Sequence, residues 1–152
     1  MRRIINSEKG EFFKRGYGEE AKRLVGELGL QKEVIFTGYV SEQKLVELYN
    51  TASVLVRLDE YDAFNLPSLE AMACGCPVIL HNIDAAPEVF GEAAILISPF
   101  DVDELSNAIY EVLTNEGLRE EMIRRGLKRA KMFSWERTAK ETMKVYENVY
   151  DK

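Results

Sequence analysis

The sequence predicts an α/β fold in which a mostly parallel β-sheet lies between two layers of helices. Short, near-continuous runs of Val, Ile and Leu alternate with longer segments whose apolar residues recur every three to four positions. Such runs are typical of strands that are buried on both faces, which belong mainly to parallel sheets. The chain has 152 residues and carries no internal repeat or evident linker, so we expect a single domain over residues 1–152.

The sequence predicts four strands and six helices along the chain. The strands are expected at residues 34–36, 53–58, 77–81 and 94–99. The helices are expected at residues 19–28, 42–52, 67–74, from Asp101 onward, 118–132 and 135–150. Several helix ends carry their usual residues: Ser41, Asp101 and Ser134 as N-caps, Pro67 at a first helical position, and Gly29 and Gly75 after the last turn.

The last helix carries a row of apolar side chains on one side. These residues are Trp135, Ala139, Met143, Tyr146 and Tyr150. Their spacing follows the helical period, and the bulky aromatic residues among them are expected to be part of the hydrophobic core.

Composition excludes several classes of function. The net charge of −6 argues against a nucleic-acid-binding surface, which is basic. No apolar run approaches the roughly 18 residues of a membrane span, and the N-terminal MRRIINSEKGEFF lacks the apolar segment of a signal peptide. Two cysteines and one histidine cannot form a His/Cys metal cluster, and a reducing cytoplasm is the simplest compartment.

The segment between the strand at 53–58 and the helix at 67–74 is the candidate ligand site. Open parallel sheets bind ligands beyond the carboxyl ends of their strands, and helix N-termini attract phosphates. The amides of Leu66, Ser68 and Leu69 are expected to face a diphosphate. The carboxylates of Glu70 and Asp62 suit hydroxyl groups, such as those of a ribose and a sugar.

An ordinary structural role explains the same two carboxylates. Glu70 in a first helical turn is favourable to the helix dipole without any ligand, and Asp62 is a common loop residue. Three further features nearby favour structural roles: His81 as a surface or hydrogen-bonded residue, Glu88 as a helix-start residue, and Cys74-Gly75-Cys76 as a packing element.

Read as a whole, the segment DAFNLPSLEAMACGCPVI resembles the signature of the retaining GT-B glycosyltransferases that use nucleotide-activated sugars. The segments GYGEEAKRLVGELGLQKEVIFTGYV, APEVFGEAAILISP and FSWERTAKETMKVYENVY are similar to further parts of that family, in the same order. The resemblance covers about residues 16–150. It implies a Rossmann-like three-layer sandwich equivalent to the C-terminal, donor-binding half of the GT-B fold.

The resemblance also implies roles for individual residues. It places Asp62 at the donor sugar and Glu70 at the nucleotide ribose, and it matches Phe64 and Leu66. The remaining donor-binding positions, Ala63 and Asn65, stand where the family signature has glycines, and Asn tolerates left-handed dihedrals better than Ala. The resemblance assigns no catalytic residue. No cofactor or metal is expected, because the helix N-terminus can stabilise the diphosphate charge.

The chain departs from the family pattern on its N-terminal side. Residues 1–15 are an atypical or truncated opening segment, in which Arg3 and Lys9 are loosely similar to the residues that contact the diphosphate. The family's acceptor-binding domain is not expected within these 152 residues. The closing helix at 134–151, which crosses back to that domain in the family, is therefore also a candidate surface for self-association.

The implied function is transfer of a sugar from a nucleoside diphosphate sugar to an acceptor hydroxyl. Because the acceptor-binding half is expected to lie outside these residues, the chain alone is expected to be incomplete for catalysis and to need a separate acceptor-binding chain or a missing segment. A second reading is a non-catalytic remnant that acts as an interaction or regulatory module, and a third is a related GT-B epimerase of nucleotide sugars.

Overall fold

The computed structural model of the chain describes residues 4–6, 17–58, 64–83 and 85–150. Its strands are β1 (Ile4–Asn6), β2 (Val34–Phe36), β3 (Leu55–Arg57), β4 (Val78–His81) and β5 (Ile95–Ile97). Its helices are α1 (Tyr17–Glu27), α2 (Glu42–Thr51), α3 (Leu66–Ala73), α4 (Ala86–Phe90), α5 (Val102–Thr114), α6 (Glu116–Ala130) and α7 (Trp135–Tyr150). A short 3-10 turn, Gly91–Ala93, follows α4.

The chain divides into two compact units, one ending at Leu48 and the other starting at Tyr49. In the first unit, β1 pairs with β2 in parallel, with Ile4 opposite Val34. The sequence analysis did not predict β1, since it treated residues 1–15 as an atypical or truncated opening segment. Arg3 and Lys9 lie outside the described residues, so their proposed likeness to diphosphate-contacting residues stays a prediction.

In the second unit, the three described strands form a parallel sheet in the order β3-β4-β5. Val56 lies opposite Ile79, which lies opposite Ile95. All four residues of the central strand β4 are buried, and for this reason its sequence, VILH, shows no alternation. The carboxyl ends of the three strands share one edge, where β3 leads toward α3 and β4 leads toward α4. The predicted α/β fold with parallel pairing is confirmed.

Close packing between α3 and α6 holds α3 in place within the second unit. Gly126 of α6 lies against Met72 of α3, so that a Cβ added at Gly126 would be 3.3 Å from the Met72 Cγ. The Met72 side chain therefore packs directly against the backbone of Gly126. Behind the sheet, Val112 and Met122 join Ile79 in the buried core.

The predicted N-caps are confirmed. The Asp101 Oδ1 accepts from the Glu104 amide at 2.8 Å, and the hydroxyls of Ser41 and Ser134 each accept from the amide three residues on. The Glu104 carboxylate accepts from the Ser98 amide at 2.7 Å and so ties α5 to the end of β5. Helix α4, of five residues, was not among the six predicted helices, but the prediction of Glu88 as a helix-start residue is confirmed, because Glu88 lies in its first turn.

The expectation that the aromatic residues of the last helix are in the core is wrong. From Trp135 to Tyr150, no residue of α7 is buried, and Trp135 is 76% exposed while Tyr150 is 92% exposed. The helical period identifies which side chains share a face, but a period contains no information about what covers that face.

Candidate functional site

The candidate site lies where the chain enters α3 from the carboxyl end of β3. Of the predicted donor-binding residues, Asp62 and Ala63 lie outside the described residues, so their roles stay predictions. Phe64, Asn65, Leu66 and Glu70 are described. Phe64 and Asn65 immediately precede α3, and Leu66 and Glu70 lie in its first two turns.

Asn65 fixes the start of α3. Its backbone is left-handed, with φ 57° and ψ 59°, a conformation that Asn adopts at lower cost than most residues. Its side-chain Oδ1 accepts from the Ser68 amide at 3.3 Å and from the Ser68 hydroxyl at 2.7 Å. Both residues are buried, and the bonds between them satisfy these polar groups away from water. The prediction that Asn65 suits a left-handed position is confirmed.

The helix begins one residue earlier than predicted, and this shift changes which amides face outward. Leu66 is the first helical residue, and Pro67 is the second. Consequently the Ser68 and Leu69 amides donate to the Asn65 carbonyl, at 3.1 and 3.4 Å. The expectation that these two amides face a diphosphate is wrong for this arrangement. The Leu66 amide, at the first helical position, remains the candidate contact.

Glu70 is exposed, one turn into α3. The phenol of Tyr49 lies near it: burial, followed by the Glu70 carboxylate, raises the pKa of Tyr49 to about 12, whereas the nearby Arg57 guanidinium lowers it. The exposed Glu70 carboxylate can accept hydrogen bonds from the hydroxyls of a ligand, whereas Tyr49 is buried and holds its proton at neutral pH.

Phe64, which lies just before α3, contacts Phe133, a residue that was not predicted to belong to the site. Its ring meets the ring of Phe133 edge to face, with centroids 5.5 Å apart and planes at 86°. The guanidinium of Arg129 lies 5.5 Å from the centroid of the Phe133 ring. Phe133 lies in the segment FSWERTAKETMKVYENVY, which resembles part of the family. Its contact with Phe64 joins residues too distant in sequence for a local pattern to predict.

The residues expected to have structural roles occupy the same sheet edge or the turn behind it. His81, at the end of β4, is buried, which excludes the surface position and leaves the other predicted role, that of a hydrogen-bonded residue; its ring lies 6.2 Å from that of Phe100. The Glu88 side chain is exposed in α4. Cys76 is buried, and burial raises the pKa of its thiol to about 11, in agreement with the predicted packing role.

The described residues include neither a metal-binding cluster nor a membrane-spanning helix. Across residues 4–6, 17–58, 64–83 and 85–150, no group of three or more His, Cys, Asp or Glu residues is arranged to hold a metal ion. The helices in that part of the chain include none with the length and apolar character of a membrane span.

The sequence of the chain is similar to those of known proteins. A family model described as glycosyl transferases group 1 matches residues 14–129. The O-antigen chain mannosyltransferase B of Escherichia coli is 38% identical over 133 residues, which are 87% of this chain and 35% of the relative. The chain thus spans about a third of the length of that relative.

Two solved structures are similar over almost the whole chain. Sucrose-phosphate synthase from Thermosynechococcus elongatus has a TM-score of 0.83 and 27% identity, covering 97% of this chain and 38% of that one. Anabaena Alr3699/HepE, crystallised with UDP and glucose, has a TM-score of 0.82 over 99% of this chain and 41% of that one; at 19% identity it supports the fold alone. These matches confirm the resemblance and the Rossmann-like α/β fold.

Proposed function

Because this chain belongs to the glycosyl transferases group 1 family, we propose that it binds a nucleoside diphosphate sugar at the start of α3 and takes part in transferring the sugar to an acceptor hydroxyl. The observation that carries the proposal is the left-handed Asn65 cap at the carboxyl edge of a parallel sheet, with the exposed Glu70 one turn further on. Ligands of open α/β sheets bind at this kind of edge.

Each group at the helix start has a role in the proposal. The Leu66 amide and the partial positive charge of the α3 N-terminus stabilise the diphosphate. The Glu70 carboxylate accepts hydrogen bonds from the ribose hydroxyls, and Asp62 accepts from those of the donor sugar. Retention of the configuration at the transferred carbon, as in the resembling family, is part of the proposal, and no metal is required by it.

The acceptor is proposed to bind outside these 152 residues. The chain spans 35% of the length of its mannosyltransferase relative, and sugar transfer requires donor and acceptor to be held together. A separate acceptor-binding segment or chain would complete the site. Both cysteines are free thiols, in keeping with the reducing cytoplasm that we propose as the compartment.

Calorimetric titration of the chain with UDP, GDP and their glucose and mannose derivatives tests donor binding. Mannosyl donors belong in the panel because the E. coli relative is a mannosyltransferase. We expect one nucleotide to bind. Glu70→Ala should weaken it roughly ten- to hundredfold, the effect of losing hydrogen bonds to a charged group worth about 1.5–3 kcal/mol. Glu111→Ala, which removes an exposed glutamate from α5, is the matched control and should bind as the wild type does.

A non-catalytic interaction module is the second candidate function, and the exposed apolar face of α7 favours it. A folded chain that binds no member of the nucleotide panel, but self-associates in sedimentation experiments, would favour this module over the donor site. Loss of self-association in Trp135→Ser would then identify α7 as the surface.

A further inference from the structure

Arg129, in the last turn of α6, joins three segments of the second unit that lie far apart in sequence. Its Nε donates to the carbonyl of Val89 at 2.7 Å, and its Nη2 donates to the carbonyl of Glu88. The face of Phe133 lies beneath the same guanidinium. One planar group thus holds the last turn of α4 and, at the same time, the aromatic ring on which Phe64 rests.

The partners of Arg129 are chemically suited to it. The carbonyls of a helix's last turn lack acceptor bonds from further along the helix, and a cation at that end is favourable to the helix dipole. A planar guanidinium can donate to two carbonyls while its face lies against an aromatic ring. A lysine ammonium offers no planar fork and no stacking face, so it cannot make the whole set of contacts at once.

The two segments that Arg129 joins leave the same edge of the sheet. Phe64 lies in the connection from β3 to α3, next to the Asn65 cap, and α4 follows the end of β4. Because the strands are parallel neighbours, both connections border the candidate donor site. A change at Arg129 therefore acts on two sides of this site without any contact between Arg129 and the ligand.

We propose that Arg129, through the Phe133 ring, is a positioning residue that holds the entry to α3 and the end of α4 in the arrangement that binds the nucleotide sugar. The inference rests on the proposed function, and it assigns the role to two residues outside the family signature segment. The proposed role depends on the geometry of the Arg129 guanidinium, which donates to two carbonyls and stacks on the Phe133 ring. A positive charge alone does not suffice.

The chain contains a matched control on the same helix. Arg125 lies one turn before Arg129 and also bridges to the neighbouring turn, donating to the Glu92 carbonyl at 3.3 Å and to the Glu92 carboxylate at 3.2 Å. Its contacts are with the 3-10 turn after α4 and with Glu121 of α6. Arg125→Lys therefore makes the same charge-conserving substitution on the same helix, at a residue whose contacts are with Glu92 and Glu121 and not with Phe133.

The experiment measures nucleotide binding and hydrogen exchange in four chains: wild type, Arg129→Lys, Phe133→Leu and Arg125→Lys. The ligand is UDP or GDP, whichever the wild type binds. We expect Arg129→Lys and Phe133→Leu to bind about tenfold more weakly, since displacement of binding groups by about 1 Å costs on this order or more. Amide exchange over residues 64–69 and 86–90 should become faster in both variants and stay unchanged in Arg125→Lys.

Two results would overturn the inference, and they are distinguishable. If the wild type binds a nucleotide and Arg129→Lys matches Arg125→Lys in both affinity and exchange, Arg129 does not position the site. If the wild type binds neither UDP nor GDP, the proposed function fails, and the role of Arg129 in donor binding fails with it. Global unfolding midpoints, measured for all four chains, separate a local effect from a general loss of stability.

Discussion

Helix α3 has eight residues, of which four are buried, whereas α7 has 16 residues, of which none is buried. Both begin at a side-chain cap, Asn65 for α3 and Ser134 for α7. Helix α3 is held on one side by the close approach of Gly126 to Met72. Similar local signals thus start both helices, whereas contacts between residues distant in sequence decide whether a helix is held in the fold.

The burial of α3 and the exposure of α7 suit the two helices to different functions. A ligand-binding helix must hold its N-terminus in place, and α3 does so through burial, the Asn65 cap and the neighbouring α6. Helix α7 instead presents its apolar side chains on the surface of the described chain, with Tyr146 at 64% exposure and Val149 at 71%. An apolar face of this kind is typical of a surface that binds another protein segment.

The largest expected effect comes from the same substitution made in each helix. Met72 is 1% exposed and Met143 is 54% exposed. Met72→Ala should lower the free energy of unfolding by about 2–5 kcal/mol, because it leaves a cavity in a packed core. Met143→Ala should change it by no more than about 0.5 kcal/mol. Urea denaturation followed by circular dichroism measures both; equal losses would show that α7 is packed in solution and would contradict the comparison.

Alkaline pH should reveal the burial around α3 in a second way. The pKa of Tyr49 is raised to about 12 from an ordinary 10.0, first by burial and then by Glu70. Since the folded chain holds this proton more tightly than the unfolded chain, stability is intact below pH 10 and falls as the pH rises toward 12. The loss amounts to about 2–3 kcal/mol at roughly 1.4 kcal/mol per pKa unit.

Tyr49→Phe isolates this effect. Cys76 also has a raised pKa, of about 11, so the wild-type curve falls over a wider range, and subtraction of the Tyr49→Phe curve isolates the tyrosine. Denaturation at a series of alkaline pH values provides both curves. Superimposable curves would mean that Tyr49 is not buried beside Glu70. Tyr150→Phe, at a side chain that is 92% exposed, is the matched control in α7.

The sequence predicted those features that depend on neighbouring residues. The strand at β4 and the caps at Asp101 and Ser134 follow from local composition and conformational preference, and the left-handed Asn65 follows from the family signature, which has a glycine at this position. Features that depend on distant residues were missed: the contact of Phe133 with Phe64 and the bonds from Arg129 to α4 span many positions. The one-residue error at Pro67 mattered most, because it moved the Ser68 and Leu69 amides into the helix.

The smallest expected effects concern the two helix caps. Asn65→Ala removes the cap and places a β-carbon in a left-handed conformation, so it should cost about 1–3 kcal/mol. Asn65→Gly also removes the acceptor of the buried Ser68 groups, but it relieves the conformational strain, so it should cost about 1–2 kcal/mol less than Asn65→Ala. A larger loss for glycine than for alanine in urea denaturation would contradict the left-handed geometry.

Ser134→Ala makes the corresponding change in α7. Because α7 buries no residue between Trp135 and Tyr150, loss of its cap should speed amide exchange in the first turn of α7 and leave the global unfolding midpoint nearly unchanged. The same cap energy of about 1 kcal/mol would then appear as a global loss at α3 and as local fraying at α7. A clear drop in the global midpoint of Ser134→Ala would show that α7 unfolds together with the core and that its exposed face is stabilised by contacts in solution.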